Sequence, residues 1–418
     1  MNLKLSFQIA QTHLLAKKRQ TLVAMLGVTF GIAMFIVMIS FMQGVNQFLE
    51  DSALDASPHV RIYNEVNTQR PSILDQTHSA DSDVNIVHHQ KPKQQLPRIK
   101  NGLQMVRLIE KMKGVLGVSP EVSSQAFFNN GPIQISGSMA GIDYPRENRL
   151  YNLDSRIKSG SFQALLTNPK GIVVGANLAK KLNVNVGDKV SVTTPTGGNL
   201  TLRVVGIFGF GIGTIDNIRC YTSIGTVQEI LGKDASYITD IHLKMTDPLL
   251  ALDFAQTLQK QFDIHTEDWG TANQAILAGK KIRNVMTFVI SMTLLVVAGF
   301  GIYNIMNMNV INKLKDIAIL KATGFGSKDV VAVFLLQAVI IGILGGFLGL
   351  LIGFGISYAL SITPFETGDM ISLKTFPVLF EVQYYLMGLA FGVITTVLAG
   401  YFPSRKAAKI DPVAILRG

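Results

Sequence analysis

The chain has 418 residues, 48% of them hydrophobic and only 16% charged, with a mean hydropathy of +0.32 and a formal net charge of +10. A soluble globular protein carries about 25% charged residues, so this balance weighs against an ordinary cytosolic enzyme. One cysteine, Cys220, excludes an internal disulfide framework and any multi-cysteine metal site.

Residues 1–20 hold Lys4, Lys17, Lys18 and Arg19 and no acid. A charge-free run, TLVAMLGVTFGIAMFIVMISF, follows over residues 21–41. It is longer than a signal-peptide core and is read as an uncleaved anchor; the alternative is cleavage near Ser52–Ala53. Three more uncharged runs occupy 285–310, 330–357 and 382–402. Each reaches the roughly 20 residues that cross about 30 Å of hydrocarbon. No Asp, Glu, His, Lys or Arg lies inside a run, so a proton- or ion-coupled pump is disfavoured.

The charge between the runs is asymmetric. The N-terminal segment, the 313–329 loop and the C-terminal tail carry twelve basic residues against three acidic ones, a net +9. The 363–381 loop carries −2, and the large 46–283 segment, with 25 basic and 22 acidic residues, +3. The positive-inside rule then places both termini and the 311–329 loop in the cytoplasm, and residues 42–284 and 358–381 outside. Topology accounts for the basic excess, which removes the case for nucleic acid.

Residues 42–284 read as two stalks around an α+β domain, with two subdomains expected. VNQFLEDSALDA continues the first span and TANQAILAGKKIRNVM leads into the second. Leu103, Val106, Ile109 and Met112 predict a helix over 102–113, followed by a strand at VLGVSPEVSSQAFF. KVSVTTPTGGNLTLRVVGIF reads as a hairpin, and ITDIHLKM, PLLALDFAQTLQKQ and FDIHTEDW as strand, helix and strand. The polar 64–101 stretch reads as a mobile loop. Its His78, Asp81, Asp83, His88 and His89 are more simply solvated residues than metal ligands, and no metal is expected. Gly209, Gly211 and Gly213 read as a turn, and Trp269 as a domain-core anchor or an interfacial residue. No GxxxxGK[ST] occurs, so this chain does not itself cradle ATP phosphates, and no catalytic residue set emerges.

Small residues at helical spacing mark where spans approach closely. Gly27 and Gly31 form one such pair, Gly388 and Gly392 another, and Gly345, Gly349 and Gly353 line one face of the third span. Four transmembrane helices with a large α+β domain inserted between the first and second is therefore the expected fold.

KLKDIAILKATGFGSKDVVAVFLLQAVIIGILGGFLG and YFPSRKAAKIDPVAILRG resemble the segment between spans two and three and the closing motif of FtsX/MacB-like ABC transporter permeases. That mechanotransmission (type VII) family includes bacterial cell-division and macrolide-export permeases. SFMQGVNQFLEDSALDASPHVRI, GIVVGANLAKKLNVNVGDKVSV and EDWGTANQAILAGKKIRNVMTFVI are similar to lipoprotein-releasing permease subunits of Gram-negative bacteria. The resemblance covers nearly the whole chain. The long 64–101 insertion departs from it, and the hook-like acceptor loop of one subunit type has no clear counterpart, which leaves homodimer and heterodimer both open.

The resemblance implies a multi-pass permease of the bacterial inner membrane that binds no cofactor itself, with ATP and Mg held by a cytosolic ATPase dimer. It implies a coupling helix at about Lys315–Thr323, ended by Gly324. Ile317, Ile319 and Leu320 would fill a groove on the ATPase, with Lys315, Asp316 and Lys321 at its rim; the alternative is an amphipathic helix on lipid. Further implied partners are a second permease subunit, lipoprotein cargo, a periplasmic carrier or adaptor, and membrane lipid. Met38, Phe41, Met42 and Val289 are the expected acyl-contacting wall. Peptide or drug export and transmembrane signalling to a cell-wall hydrolase are the competing functions; a receptor without an ATPase fits the coupling-loop motif poorly.

Overall fold

The computed structural model describes residues 3–16, 18–64, 97–211, 213–365, 375–409 and the single positions 411, 413 and 415. The possible ligands between His78 and His89 lie outside the described residues. The chain divides into two compact units, one of the terminal and span segments up to Glu50 and from Ala275, the other of Asp51–Gln274.

Among the described residues of the first unit, four helices are long and apolar enough to cross a membrane: Lys18–Ala56, Gln274–Asn312, Ser327–Ile362 and Val382–Ala408. The first two are 39 residues each, because the stalk sequences continue the spans without a break. The fourth runs on through Pro403 to Ala408, past the charge-free run that marks it in the sequence. The N-terminal segment, expected only as a basic stretch before the first span, contains a helix, Leu3–Ala16. Ser6, Ala10 and Leu14, at a spacing of four, are its buried face.

The glycines of the third span form the expected groove. A Cβ at Gly349 would lie 2.9 Å from both Ile32 Cβ and the Thr29 carbonyl oxygen. At Gly345 it would meet Met25 O at 2.9 Å and Val28 at 3.0 Å, and at Gly353 Ile36 Cβ at 3.0 Å. Thr29 Oγ1 also donates to Gly345 O at 3.0 Å. Val28, Ile32 and Ile36, one helical stripe of the first span, thus sit directly on backbone. On the fourth span, Gly388 lies beside Phe35 and Ile36, and Gly392 against Ile32 Cδ1. Gly31 approaches Ala298 of the second span, at 3.1 Å from a built Cβ. Gly27 departs from the expectation. A side chain there would meet nothing within 4 Å, so of the first GxxxG only Gly31 faces a helix.

Replacing Gly349 by alanine is therefore expected to cost about 1–3 kcal/mol, since one neighbour is a backbone oxygen that cannot move aside. Gly27→Ala should leave stability unchanged or slightly raised through helix propensity. Thermal melts of the two purified variants in detergent measure the contrast.

The second unit is built on one sheet. Its strands are β1 (Val60–Tyr63), β2 (Val115–Asn130), β3 (Ile133–Ile142), β4 (Ile157–Gly160), β5 (Gly171–Gly175), β6 (Lys189–Thr193), β7 (Asn199–Phe208), β8 (Arg219–Ser223), β9 (Asp240–Met245) and β10 (His265–Asp268). The order is β10-β1-β9-β2-β3-β8-β5-β7-β4, with β6 bridging β2 and β7. The 16-residue β2 ties the two ends together. Val115–Glu121 pairs with β9, and Glu121–Asn130 with β3. Pro120 sits just before β3 joins, where one edge of the strand has no partner to supply with an N–H.

The predicted hairpin is β6–β7, closed at Thr193 and Asn199. The predicted strand–helix–strand unit is β9, Ala251–Phe262 and β10, the two strands flanking β1. The helix expected over 102–113 is shorter, Gly102–Ile109, and buries Met105 in place of Leu103, which is 38% exposed. Trp269 is a domain-core residue whose Nε1 donates to Pro248 O at 3.0 Å. Phe210 N and Gly211 N both donate to Asp216 at 2.9 Å, with Gly211 at φ +76, so the glycine-rich stretch there is a turn.

One face of this sheet is polar and buried. Along β9, Asp240, His242 and Lys244 alternate with Ile241, Leu243 and Met245, yet all six are buried. Arg219 Nη2 donates to both Glu121 oxygens at 3.1 and 2.8 Å, and Arg61 Nε to Asp240 Oδ1 at 2.7 Å. Burial raises the Glu121 carboxyl above its usual range, although Arg219 opposes it. Burial alone would lower the His242 imidazole, but the Glu121 and Glu147 carboxylates outweigh it and raise it.

Cys220, in β8, is fully buried, and burial pushes its thiol well above the ordinary range. Alkylation by a maleimide at neutral pH is expected to fail on the native chain and to proceed once it is denatured. A mass shift on native protein would contradict this.

Candidate functional site

Two stretches of the bundle unit carry function-bearing geometry. In the first, the stalk parts of spans one and two are clasped by polar side chains. Gln43, Asn46 and Glu50, at successive turns of the first span helix, face Lys280, Arg283 and Asn284 of the second. Asn284 Oδ1 accepts from Asn46 Nδ2 at 2.9 Å and from Gln43 Nε2 at 3.3 Å. Arg283 Nε donates to Asn46 Oδ1 at 2.6 Å, and Lys280 Nζ pairs with Glu50 Oε2 at 2.5 Å. Spacings of three and four put each set on one helix face. Polar groups of this kind hold two helices in fixed register, which apolar contacts alone would leave free to slide.

Directly beside this clasp is an apolar cavity of about 190 Å³. Gln43 and Asn284 form its polar end, and Phe35, Ile39, Ser291 and Phe391 are among its walls. A larger groove of about 500 Å³ between the second and fourth spans shares Met292, Leu295 and Phe391 with it, so the two are neighbours. The four residues expected from sequence as an acyl-contacting wall have other surroundings within this chain. Phe41 packs edge-on against Phe376, Met38 and Met42 are half-buried, and Val289 is exposed. None of the four lines the cavity. The neighbouring turn positions Phe35, Ile39 and Gln43 face it, because one residue along a helix turns the side chain by about 100°.

The second stretch is the 313–329 loop, which forms a helix, Leu314–Ala322. Thr323 is its C-cap, and Gly324 at φ +103 ends it in the left-handed conformation that a side chain would disfavour. Lys313 Nζ contacts Asp316 Oδ2 at 2.6 Å across the first turn. Lys315 is exposed, and Lys321 Nζ donates to Ala408 O at 3.0 Å at the end of the fourth span helix. Ile317 corrects the expectation of a partner-facing residue. It is 1% exposed and packs in the bundle's own core with Val330 and Phe334. Ile319 is 52% exposed and Leu320 half-buried, and both line a groove of about 410 Å³ with Gln8, Ile9, Thr12 and His13 of the N-terminal helix. Those N-terminal residues carried no sequence signal beyond the helical spacing of Ser6, Ala10 and Leu14.

Family comparisons agree with this architecture. The model of the MacB-like periplasmic core domain matches residues 21–260, and that of the FtsX-like permease C-terminal domain matches 288–412. The chain belongs to the FtsX/MacB-like family of ABC transporter permeases. Among its relatives, the lipoprotein-releasing system transmembrane protein LolC of Neisseria meningitidis serogroup B is 26% identical, over 98% of each chain. LolE of Haemophilus influenzae is 23% identical over 98% of each. The macrolide export ATP-binding/permease protein MacB 2 of Yersinia pestis bv. Antiqua is 23% identical over 98% of this chain and 57% of that protein. The periplasmic region of MacB from Actinobacillus actinomycetemcomitans is similar at 16% identity and a TM-score of 0.33, covering 52% of this chain and 91% of that one.

The two faces of the Leu314–Ala322 helix make a direct prediction. Ile317→Asp buries an unpaired carboxylate in the bundle and should abolish folded protein. Ile319→Asp, on the exposed face, should purify with unchanged yield and melting temperature. Size-exclusion profiles in detergent distinguish the two.

Proposed function

We propose that this permease is the transmembrane subunit of an ATP-driven ABC complex that extracts lipoproteins from the outer leaflet of the inner membrane and hands them to a periplasmic carrier. The observation that carries the reading is the apolar cavity beside the clasp, next to the groove along the second and fourth spans. An acyl chain is apolar, flexible and already in the membrane, and it needs an apolar space reached from within the bilayer. Met292, Leu295 and Phe391 offer that; a hydrophilic solute would find polar groups at Gln43, Asn284, Thr287 and Ser291 in the cavity and at Tyr303 and Thr395 in the groove, among otherwise apolar walls. Relatives with lipoprotein release in their names match from end to end, which supports the same reading.

In this proposal the termini and the Leu314–Ala322 helix face the cytoplasm, as the net +9 of those segments supports. A separate ATPase dimer seats on Ile319 and Leu320, and the N-terminal helix completes the contact. ATP-driven closure pushes the coupling helix. Because Lys321 is bonded to the end of the fourth span and Ile317 is embedded in the core, the spans move with it. The clasped stalks pass that movement outward, and a second permease subunit, identical or different, encloses the lipid-anchored cargo from the other side.

The test is reconstitution of the complex in liposomes with a radiolabelled lipoprotein. ATP is expected to transfer label to a soluble carrier, and the Ile319→Asp/Leu320→Asp double variant to lose ATPase co-purification and at least tenfold of the release. Transport of a non-acylated drug or peptide without lipoprotein release would favour the export reading. Tight binding of a cell-wall hydrolase without movement of any cargo would favour signalling.

A further inference from the structure

The buried polar face of the sheet contains a group of side chains that the transport reading does not use. Glu121 on β2, His242 on β9 and Glu147 on the Tyr144–Tyr151 helix are 2%, 5% and 1% exposed. One ligand-type atom from each lies within 4.8 Å of the others. His242 Nδ1 is 3.5 Å from Glu121 Oε2 and 3.6 Å from Glu147 Oε1. These separations are too long for N–H···O hydrogen bonds, whose usual range ends near 3.2 Å. They are close to the spacing of two donors on one ion, since ligands about 2.0–2.1 Å from a tetrahedral zinc lie about 3.4 Å apart.

A second observation points the same way. His242 Nδ1, Glu147 Oε2, Ser119 Oγ, Tyr151 OH and Arg219 Nε are all buried without a hydrogen-bond partner. Register places Ser119 directly opposite His242, and Tyr151 lies one helical turn after Glu147. Buried polar atoms are nearly always paired, so five unpaired ones in one neighbourhood point to a polar ligand held among them.

The surrounding charges favour a cation. Among the described residues, Arg219 is the cation hydrogen-bonded to these carboxylates; it donates to both Glu121 oxygens and holds that carboxylate in orientation. Asp240 is paired with Arg61. Lys244 is directed at the Tyr151 ring and the Asp55 carbonyl. The Arg219 side chain is 26% exposed, so the cluster has one edge near solvent.

We propose that Glu121, Glu147 and His242 bind a divalent first-row metal ion outside the membrane, with zinc the ion best suited to two carboxylates and one imidazole. The ion would fasten the Tyr144–Tyr151 helix to the β2–β9 pair.

The experiment uses the full chain in detergent, stripped with EDTA, equilibrated with micromolar zinc and desalted before elemental analysis, with cobalt(II) absorption as a second probe. One zinc per chain is expected to remain, and zinc should raise the melting temperature. Glu147→Gln, which keeps the side-chain shape, and His242→Gln should each weaken binding at least tenfold and remove the melting shift. Replacing His78, His88 and His89 together by alanine should leave zinc retention intact. No retained zinc in the unaltered chain would overturn the proposal and leave water as the occupant. So would unchanged retention in both ligand variants, or loss confined to the triple histidine variant.

Discussion

The first span rests on the bare backbone of the third, and the rest of the bundle is arranged around that contact. In lipid there is no hydrophobic gain from bringing two apolar helices together, so association depends on close packing and a few polar bonds. Gly345, Gly349 and Gly353 supply the closeness, and the Thr29 hydroxyl supplies a bond to a carbonyl inside it. The same buried core extends to Leu14 of the N-terminal helix, Ile317 of the Leu314–Ala322 helix and Ala407 at the end of the fourth span. Elements with no membrane-spanning role of their own are thereby fixed to the spans.

The domain between spans one and two is held by a different balance. Its apolar side, around Phe162, Phe208 and Tyr221, is an ordinary close-packed core. The same face of the sheet, nearer β9, also encloses charge, and each ionised group there loses hydration that its partner must replace. Arg219 does so for Glu121, and Arg61 for Asp240. Removing one member of such a pair strands the other in a low-dielectric site, which is far more costly than replacing both. This part of the sheet is therefore intolerant of single changes while contributing little net stability.

Much of the bundle was legible from composition, because a helix of span length that faces water on any side needs charged or polar residues there, and these four runs have none that are charged. The glycine triple and the Gly324 stop were equally readable, since each follows from a backbone requirement. Faces were not. Ile317 and Ile319 differ by two positions on one short helix, and only the neighbouring spans decide which is covered. For the same reason Phe35 and Ile39, and not Met38, Phe41 and Met42, line the cavity within the chain. In the domain, the alternation of Asp240, His242 and Lys244 signals a strand with one wet face. That the Tyr144–Tyr151 helix brings Glu147 and Tyr151 to it depends on a contact distant in sequence, and β1, four residues long, is too short to stand out.

The carbonyl oxygen of Ala408 accepts from Lys321 and also from Ser327, at 3.0 and 3.1 Å. One acceptor therefore serves both ends of the Lys321–Ser327 turn and the last turn of the fourth span helix, where the helix dipole makes that oxygen electron-rich. Both donors are side chains, so the joint can pivot without breaking backbone pairing. The third and fourth spans, packed along their length where Gly342 meets Thr396 and Gly400 meets Ala338, are thereby also stapled at one end by side-chain bonds that can rearrange.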